Sequence, residues 1–134
     1  MSADGGSTYL DSSALVKLVV VEAQTSALVG HLRGRGGLVS SALASVELIR
    51  AVRKVAAARV PAARQALREL DLMPLDEASL RAAADLEGES VRSLDAIHVA
   101  AALSLSDDLS ELITYDRRMA SAATGLGLPV ISPA

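Results

Sequence analysis

The sequence predicts an α/β fold in which one parallel sheet is covered by helices on both faces, and three observations lead to this prediction. Short apolar segments alternate along the chain with longer segments that have helical spacing. A length of 134 residues fits one domain with one hydrophobic core. Hydrophobic residues make up 51% of the chain, mostly Ala, Leu and Val, and this composition suits helices packed closely on a buried sheet.

The predicted elements follow one another without a linker long enough to divide the domain. Five short segments are predicted to be strands: 7–10, 38–40, 72–75, 112–115 and 129–131. Helices are predicted at 14–20, 22–33, 41–58, 61–70, 76–87 and 93–105, and a last one begins at Asp116. Asp11, Ser12 and Ser13 form a helix-start signal after the first strand, and Pro61 suits the first turn of its helix. Residues 34–37, with three glycines, predict the end of the second helix and a turn.

Composition also limits the location of the protein and the kind of metal site. Residues 1–7 are small and polar, so we expect a flexible leader there, followed by the domain at 8–134. We expect a cytoplasmic protein without a membrane partner, because no apolar run reaches the ~18–20 residues that cross a bilayer and no secretion signal is recognisable. The absence of Cys excludes disulfides and thiolate sites, and the two His residues disfavour a His-rich zinc site. Any metal site would therefore use oxygen ligands, which favour Mg²⁺ or Mn²⁺.

The distribution of charge indicates a possible contact with nucleic acid. The formal net charge is −3, yet residues 48–68 contain six basic residues and no acidic one. The remainder of the chain has seven basic and sixteen acidic residues. A basic helical segment on an acidic body suits a phosphate-binding stripe, and a solvated helix face remains the ordinary alternative. The candidates for contact with nucleic-acid phosphates are Arg50, Arg53, Lys54 and, directly after Asp116, Arg117.

Four carboxylates fall where a parallel sheet usually binds ligands. Asp11 follows the first strand and Asp116 follows the fourth. Asp95 lies in the first turn of the helix that begins near residue 93, and Glu47 lies in the second turn of the helix after the second strand. Ligands of parallel sheets bind at the carboxyl ends of the strands. We therefore expect the four side chains to converge at this edge.

Each carboxylate also has a structural explanation. Asp11, Asp95 and Asp116 occupy helix-start positions, where a carboxylate caps backbone N–H groups. Glu47 is flanked by apolar neighbours on its helix, so it needs a cation or hydrogen bonds to remain charged. Clustered carboxylates repel one another, and a bound divalent cation removes this repulsion while orienting a phosphodiester and activating water.

Four segments together resemble one protein family. They are Y-L-D-S-S-A-L-V-K-L at 9–18, S-V-E-L-I-R-A at 45–51, S-L-D-A-I-H-V-A-A-A at 93–102 and L-I-T-Y-D-R-R-M at 112–119. In order and separation they resemble PIN-domain ribonucleases, the VapC-type toxins of toxin–antitoxin systems. The closing G-L-G-L-P-V-I-S-P at 125–133 is similar to the last strand of that family. The resemblance covers nearly the whole chain from Thr8 onward.

The resemblance implies a three-layer α/β/α sandwich with a parallel sheet of about five strands, and an Mg²⁺- or Mn²⁺-dependent ribonuclease. It assigns catalysis and metal binding to four acidic residues: Asp11, Glu47, Asp95 and Asp116. Thr114 and Ser13 match polar positions that support the site, and Thr114 is expected to hydrogen-bond a carboxylate or water. The resemblance also implies a homodimer and a cognate antitoxin whose C-terminal segment places a basic side chain in the acidic site.

Other classes of protein fit less well. A receiver domain needs a paired-acid motif and a later Lys, and a haloacid-type phosphatase needs an Asp where this chain has Ser13. The sequence has no G-x-S-x-G elbow and no P-loop. Two alternatives stay open: a PIN-fold protein that binds RNA or a partner without catalysis, and a nuclease of other nucleic acids on the same fold. For His98, one turn after Asp95, we favour a packed, hydrogen-bonded histidine over a site residue.

Overall fold

A computed structural model of the chain describes residues 6–88 and 91–134 and contains a five-stranded parallel sheet. The strands are β1 (Ser7–Leu10), β2 (Leu38–Ser41), β3 (Asp71–Met73), β4 (Leu109–Ile113) and β5 (Val130–Ile131). Their order is β3-β2-β1-β4-β5, and all four pairings are parallel. The predicted class and number of strands are confirmed. Residues 1–5 of the expected leader lie outside the described residues.

The described residues also form seven α-helices. These are α1 (Ser12–Val19), α2 (Thr25–Leu32), α3 (Ala44–Ala56), α4 (Val60–Arg68), α5 (Glu77–Ala84), α6 (Ser93–Ser104) and α7 (Arg117–Gly125). Two short 3₁₀ turns, Ala57–Arg59 and Ser106–Asp108, precede α4 and β4. In the part of the chain that the structure describes, no helix is long and apolar enough to cross a membrane.

Two layers of helices enclose the sheet, as expected for an α/β/α sandwich. Successive side chains of a strand point to opposite faces, so Leu10 and Tyr9 of β1 enter different cores. Leu10 packs with α1, α2, α3 and α4, whereas Tyr9 packs with α6 and α7. Both side chains have no solvent exposure. The central strand is therefore buried on both faces, which explains its continuous apolar sequence.

Several element boundaries differ from the predicted ones for local reasons. The helix predicted at 22–33 begins at Thr25, because the Thr25 hydroxyl accepts from Glu22 N and donates to Lys17 O, forming a turn before the helix. The helix predicted at 41–58 begins at Ala44, because Ser41 still belongs to β2. The strand predicted at 112–115 runs from Leu109 to Ile113, so Thr114 follows the strand.

The direction in which successive strands are added to the sheet reverses between β1 and β4. The chain adds β2 and β3 on one side of β1 and then β4 and β5 on the other. A crevice at the carboxyl ends of two such strands is the usual ligand site of an open parallel sheet. Asp11 and Asp116 come shortly after the two strands that flank this switch point.

Candidate active site

Asp11 is buried at the switch point and is held by three donors. It is 2% exposed and caps α1 by accepting a hydrogen bond from Ala14 N at 3.0 Å. The Ser13 hydroxyl donates to Oδ1 at 2.6 Å, and the Thr114 hydroxyl donates to Oδ2 at 2.5 Å. Burial raises the pKa of Asp11 and outweighs these hydrogen bonds, which lower it. The carboxylate is therefore fixed in place in surroundings that disfavour its charge.

Ser13 and Thr114 also join the loops that follow β1 and β4. The Ser13 hydroxyl accepts from Tyr115 N at 2.9 Å, and the Thr114 hydroxyl accepts from Asp116 N at 3.1 Å. Each hydroxyl thus contacts Asp11 and the backbone of the loop that carries Asp116. These contacts hold the two loops in a fixed relation across the switch point.

Asp116 lies partly exposed at the start of α7. Its Oδ1 accepts hydrogen bonds from the backbone N of Arg118 at 2.9 Å and of Met119 at 3.0 Å. Asp11 and Asp116 are therefore true helix caps, as the structural explanation of the sequence expected. One Asp116 oxygen, Oδ2, receives no hydrogen bond from any residue in 6–88 or 91–134.

Asp95 differs from the other two aspartates because it is not a cap. It lies in the first turn of α6, whose N-cap position is Arg92, and no described residue donates a hydrogen bond to its carboxylate. Burial raises the pKa of Asp95, and the charges of Asp116, Asp11 and Glu47 raise it further against the opposing influence of His98. The charges of the other three predicted carboxylates therefore act on Asp95 at the carboxyl edge.

Glu47 is half-buried in the first turn of α3 and is held by two donors. His98 Nε2 lies 2.6 Å from Oε1, and the Ser12 hydroxyl donates to the same oxygen at 2.5 Å. Burial on its own raises the pKa of Glu47, but the hydrogen bonds from His98 and Ser12 together outweigh it and leave the pKa below its usual value. Glu47 was expected to need a cation or hydrogen bonds because its neighbours on the helix are apolar, and such hydrogen bonds are present.

Three residues near the quartet were not assigned to the site from the sequence: Ser12, His98 and Tyr9. His98 is 1% exposed, and its Nδ1 lies 2.7 Å from the Tyr9 hydroxyl. The preference for a packed, hydrogen-bonded His98 is confirmed, but one of its partners is a carboxylate of the site. The available signal was its spacing, since His98 and Asp95 are three residues apart and share a face of α6.

The donor chemistry of this edge suits Mg²⁺ or Mn²⁺, since four carboxylates supply hard oxygen ligands. Among the described residues, however, no three His, Asp or Glu side chains stand close enough together to enclose one ion. Capping turns Asp11 and Asp116 towards their own helices. Mg²⁺ commonly binds through one or two carboxylates and retains several waters, so this spacing still fits such an ion.

The candidate RNA contacts lie on exposed surface. Arg50, Arg53 and Lys54 are exposed on α3, and Arg117 is exposed at the first position of α7. Within the described ranges, none of the four forms an ion pair. Glu47, Arg50 and Lys54 recur at helical spacing, so they follow one face of α3 away from the acidic edge.

Comparison with known proteins agrees with this fold. The sequence model of the PIN domain matches residues 8–125. Ribonuclease VapC46 of Mycobacterium tuberculosis (strain ATCC 25618 / H37Rv) is 48% identical over 125 residues, covering 93% of this chain and 96% of the relative. Ribonuclease VapC35 of the same strain is 41% identical over 129 residues, and Ribonuclease VapC47 of strain CDC 1551 / Oshkosh is 36% identical over 130 residues. Both of these alignments also cover 93% of this chain and 96% of the relative.

Proposed function

The chain belongs to the PIN-domain family as a VapC-type ribonuclease, and from this premise we propose that it is a divalent-metal-dependent endoribonuclease and the toxin of a toxin–antitoxin pair. It would hydrolyse RNA phosphodiester bonds at the carboxyl edge of the sheet. The observation that carries the proposal is the placement of Asp11, buried and held by Ser13 and Thr114 at the switch point of the sheet, at the same edge as Asp95, whose pKa is raised by burial and by the other three carboxylates. A site that concentrates negative charge in this way is stabilised by a cation.

The proposed site for Mg²⁺ or Mn²⁺ consists of the four acidic residues Asp11, Glu47, Asp95 and Asp116, with the ion bound directly through one or two of them and through retained waters to the others. When bound, the ion supplies orientation of the phosphodiester, activation of water and stabilisation of the charge on the leaving oxygen. Thr114 and Ser13 support the site by holding the Asp11 carboxylate, each through one oxygen. Asp95 has no protein hydrogen bond among the described residues, so it is the carboxylate with most freedom to bind a ligand.

RNA would approach the site over the basic surface of α3. Arg50, Arg53 and Lys54 are proposed to contact phosphates, and Arg117 is proposed to do so beside Asp116. Their exposure leaves the cationic groups free to bind phosphate, and the helical spacing from Glu47 leads a bound strand towards the acidic edge. An overall charge of −3 disfavours non-specific binding elsewhere on the protein.

The proposed partners follow from the family. They are RNA, a cognate antitoxin protein and a second copy of the chain in a homodimer, and the proposed location is the cytoplasm. The excess negative charge around Asp95 would attract a basic side chain of an antitoxin. Two other functions on the same fold are binding of RNA or a partner without catalysis, and cleavage of DNA or branched nucleic acid.

The decisive experiment is a cleavage assay on the purified full chain, freed of any partner protein. Structured RNA, single-stranded DNA and a flap substrate are each incubated with Mg²⁺ or Mn²⁺, with EDTA, and with the Asp95→Asn variant. Asp85→Asn is the matched control, because it makes the same change at an exposed carboxylate at the end of α5.

We expect cleavage of RNA that requires the metal, is lost in Asp95→Asn and is retained in Asp85→Asn. Cleavage of DNA or the flap substrate in preference to RNA would favour the other nuclease. RNA binding without cleavage of any substrate, and without stabilisation by metal, would overturn the catalytic proposal in favour of a binding protein.

A further inference from the structure

Glu47 ends a series of two hydrogen bonds, one buried and one partly buried, that crosses from one helical layer to the other. The Tyr9 hydroxyl lies 2.7 Å from His98 Nδ1, and His98 Nε2 lies 2.6 Å from Glu47 Oε1. Tyr9 belongs to β1, His98 to α6 and Glu47 to α3, so three elements of the fold contribute one residue each. The rings of Tyr9 and His98 meet edge to face, with 5.8 Å between centroids and 78° between planes.

When the His98 ring is neutral, the chemistry of its partners fixes the direction of these hydrogen bonds. A carboxylate only accepts, so the proton in the contact with Glu47 is on His98 Nε2. Burial raises the pKa of the Tyr9 phenol well above its usual value, so the hydroxyl keeps its proton. The Tyr9 hydroxyl therefore donates to Nδ1, and this bond selects the Nε2–H tautomer of His98.

The two donors to Glu47 act on one oxygen only. His98 and Ser12 both contact Oε1, and no donor among the described residues reaches Oε2. No buried side-chain oxygen in the described part of the chain lacks a partner, so Oε2 is not fully buried, and the Glu47 side chain as a whole is 23% exposed. One oxygen of this carboxylate is thus fixed by the protein, while the other remains available at the acidic edge.

We infer that Tyr9 and His98 form a positioning pair, in which Tyr9 sets the tautomer of His98 and His98 holds Glu47 with Oε2 presented to the metal. This inference deepens the proposed function and rests on it. His98 is 1% exposed and contacts the carboxylate of Glu47, so it acts through Glu47. Residues that orient metal ligands in this way typically change metal affinity about 10- to 100-fold when removed.

The test measures Mn²⁺ affinity by electron paramagnetic resonance, on the full chain freed of any partner protein, with melting temperature recorded for every variant. His98→Leu removes both hydrogen bonds, whereas His98→Gln keeps an N–H that reaches Glu47. Tyr9→Phe keeps the ring and removes only the hydroxyl. The control is His31→Gln, because His31 forms a similar pair with Glu111, a residue of β4 that pairs with Thr8 near the start of β1.

We expect Mn²⁺ affinity to fall about 10- to 100-fold in His98→Leu, to recover largely in His98→Gln and to be unchanged in His31→Gln. In ¹⁵N spectra of the imidazole, the Nε2–H tautomer is expected in the parent protein and is expected to lose its dominance in Tyr9→Phe. If His98→Leu does not fold, His98→Gln and Tyr9→Phe still decide, since both retain a side chain of suitable volume.

Two results would overturn the inference, and they are distinguishable. Equal Mn²⁺ affinity in the parent, His98→Leu and Tyr9→Phe proteins would remove the positioning role and leave the metal-dependent function intact. No Mn²⁺ binding by the parent protein would remove the metal site itself, and the positioning role with it.

Discussion

His98 and Glu47 at the carboxyl edge of the sheet, and His31 and Glu111 towards its amino edge, form the same kind of pair in different surroundings. The nitrogen–oxygen distances are 2.6 Å and 2.8 Å. Glu111 Oε2 also accepts from the Thr8 hydroxyl at 3.2 Å and lies 3.6 Å from Arg35 Nε. Each of the two carboxylates thus also accepts from a hydroxyl, and among the described residues the amino-edge pair has Arg35 as a further cation.

The carboxyl edge has the opposite balance of charge. At this edge the charges of Asp116, Asp11 and Glu47 add to burial in raising the pKa of Asp95. Thr8 of β1 and Asp11, which directly follows this strand, are only three residues apart, about 10 Å along an extended chain. Over this distance the surroundings change from a buried acid beside two basic side chains to a group of acids beside one histidine. The first arrangement pairs a buried acid, and the second is the arrangement that we propose to bind a cation.

The largest expected effect is the loss of cleavage in Asp11→Asn. Asn retains the shape and the capping ability of Asp but lacks the negative charge, so the fold is expected to persist. We expect the rate of metal-dependent RNA cleavage to fall by at least about 100-fold, since even residues behind metal ligands cost 10- to 100-fold. Single-turnover cleavage, with circular dichroism to check folding, measures this. A rate within a few-fold of the parent would mean that Asp11 is only a cap.

The corresponding change at the amino edge is Glu111→Gln, and its effect should be on stability. Gln leaves His31 and Arg35 without their anionic partner, and we expect the free energy of unfolding to fall by about 1–3 kcal/mol. Cleavage by the folded fraction should remain close to that of the parent. Denaturant unfolding and the cleavage assay together check this. A loss of cleavage without a loss of stability would remove the distinction between the two edges.

A smaller effect is expected for Lys54→Ala, which tests the basic surface of α3. Removing one phosphate contact should reduce the slope of log affinity against log salt by about 1. The measurement is RNA binding at several salt concentrations, made in an Asp95→Asn background so that the RNA stays intact. Arg81→Ala serves as the comparison, because Arg81 is exposed on α5 and pairs with Glu77. Identical slopes for the Asp95→Asn background protein and for its Lys54→Ala and Arg81→Ala derivatives would argue for an ordinary solvated face on α3.

The smallest expected effect is a gain of stability in Asp95→Asn without metal. A raised pKa means that the folded protein disfavours the charged form of Asp95, so removing the charge should stabilise the fold. Because Asp95 is partly exposed, solvent screens the repulsion and the gain should stay below about 1 kcal/mol. Thermal unfolding in EDTA measures it, and saturating Mn²⁺ should reverse the order of the two proteins. A lower melting temperature of the variant in EDTA would show that the carboxylates do not repel one another significantly.

Much of the fold followed from local patterns. Alternating strands and helices predicted the parallel sheet because each strand carries its own apolar sequence and each helix its own start signal. Boundaries were less accurate where a side chain intervened, as when Thr25 forms a turn that delays α2. The extent of β4 depended on its pairing with β1, and no local pattern specifies such a pairing.

The sequence by itself determined the parallel α/β class and the presence of four acidic residues, two just after strands and two in the first turns of helices. Spacing along the chain is enough for this, since the strands of a parallel sheet share one direction. Only the tertiary structure decided which oxygens of those acids are occupied and which are free. The contacts of Glu47 with Ser12 and His98 join residues 35 and 51 positions apart, and the order of strands and the packing of helices bring such residues together.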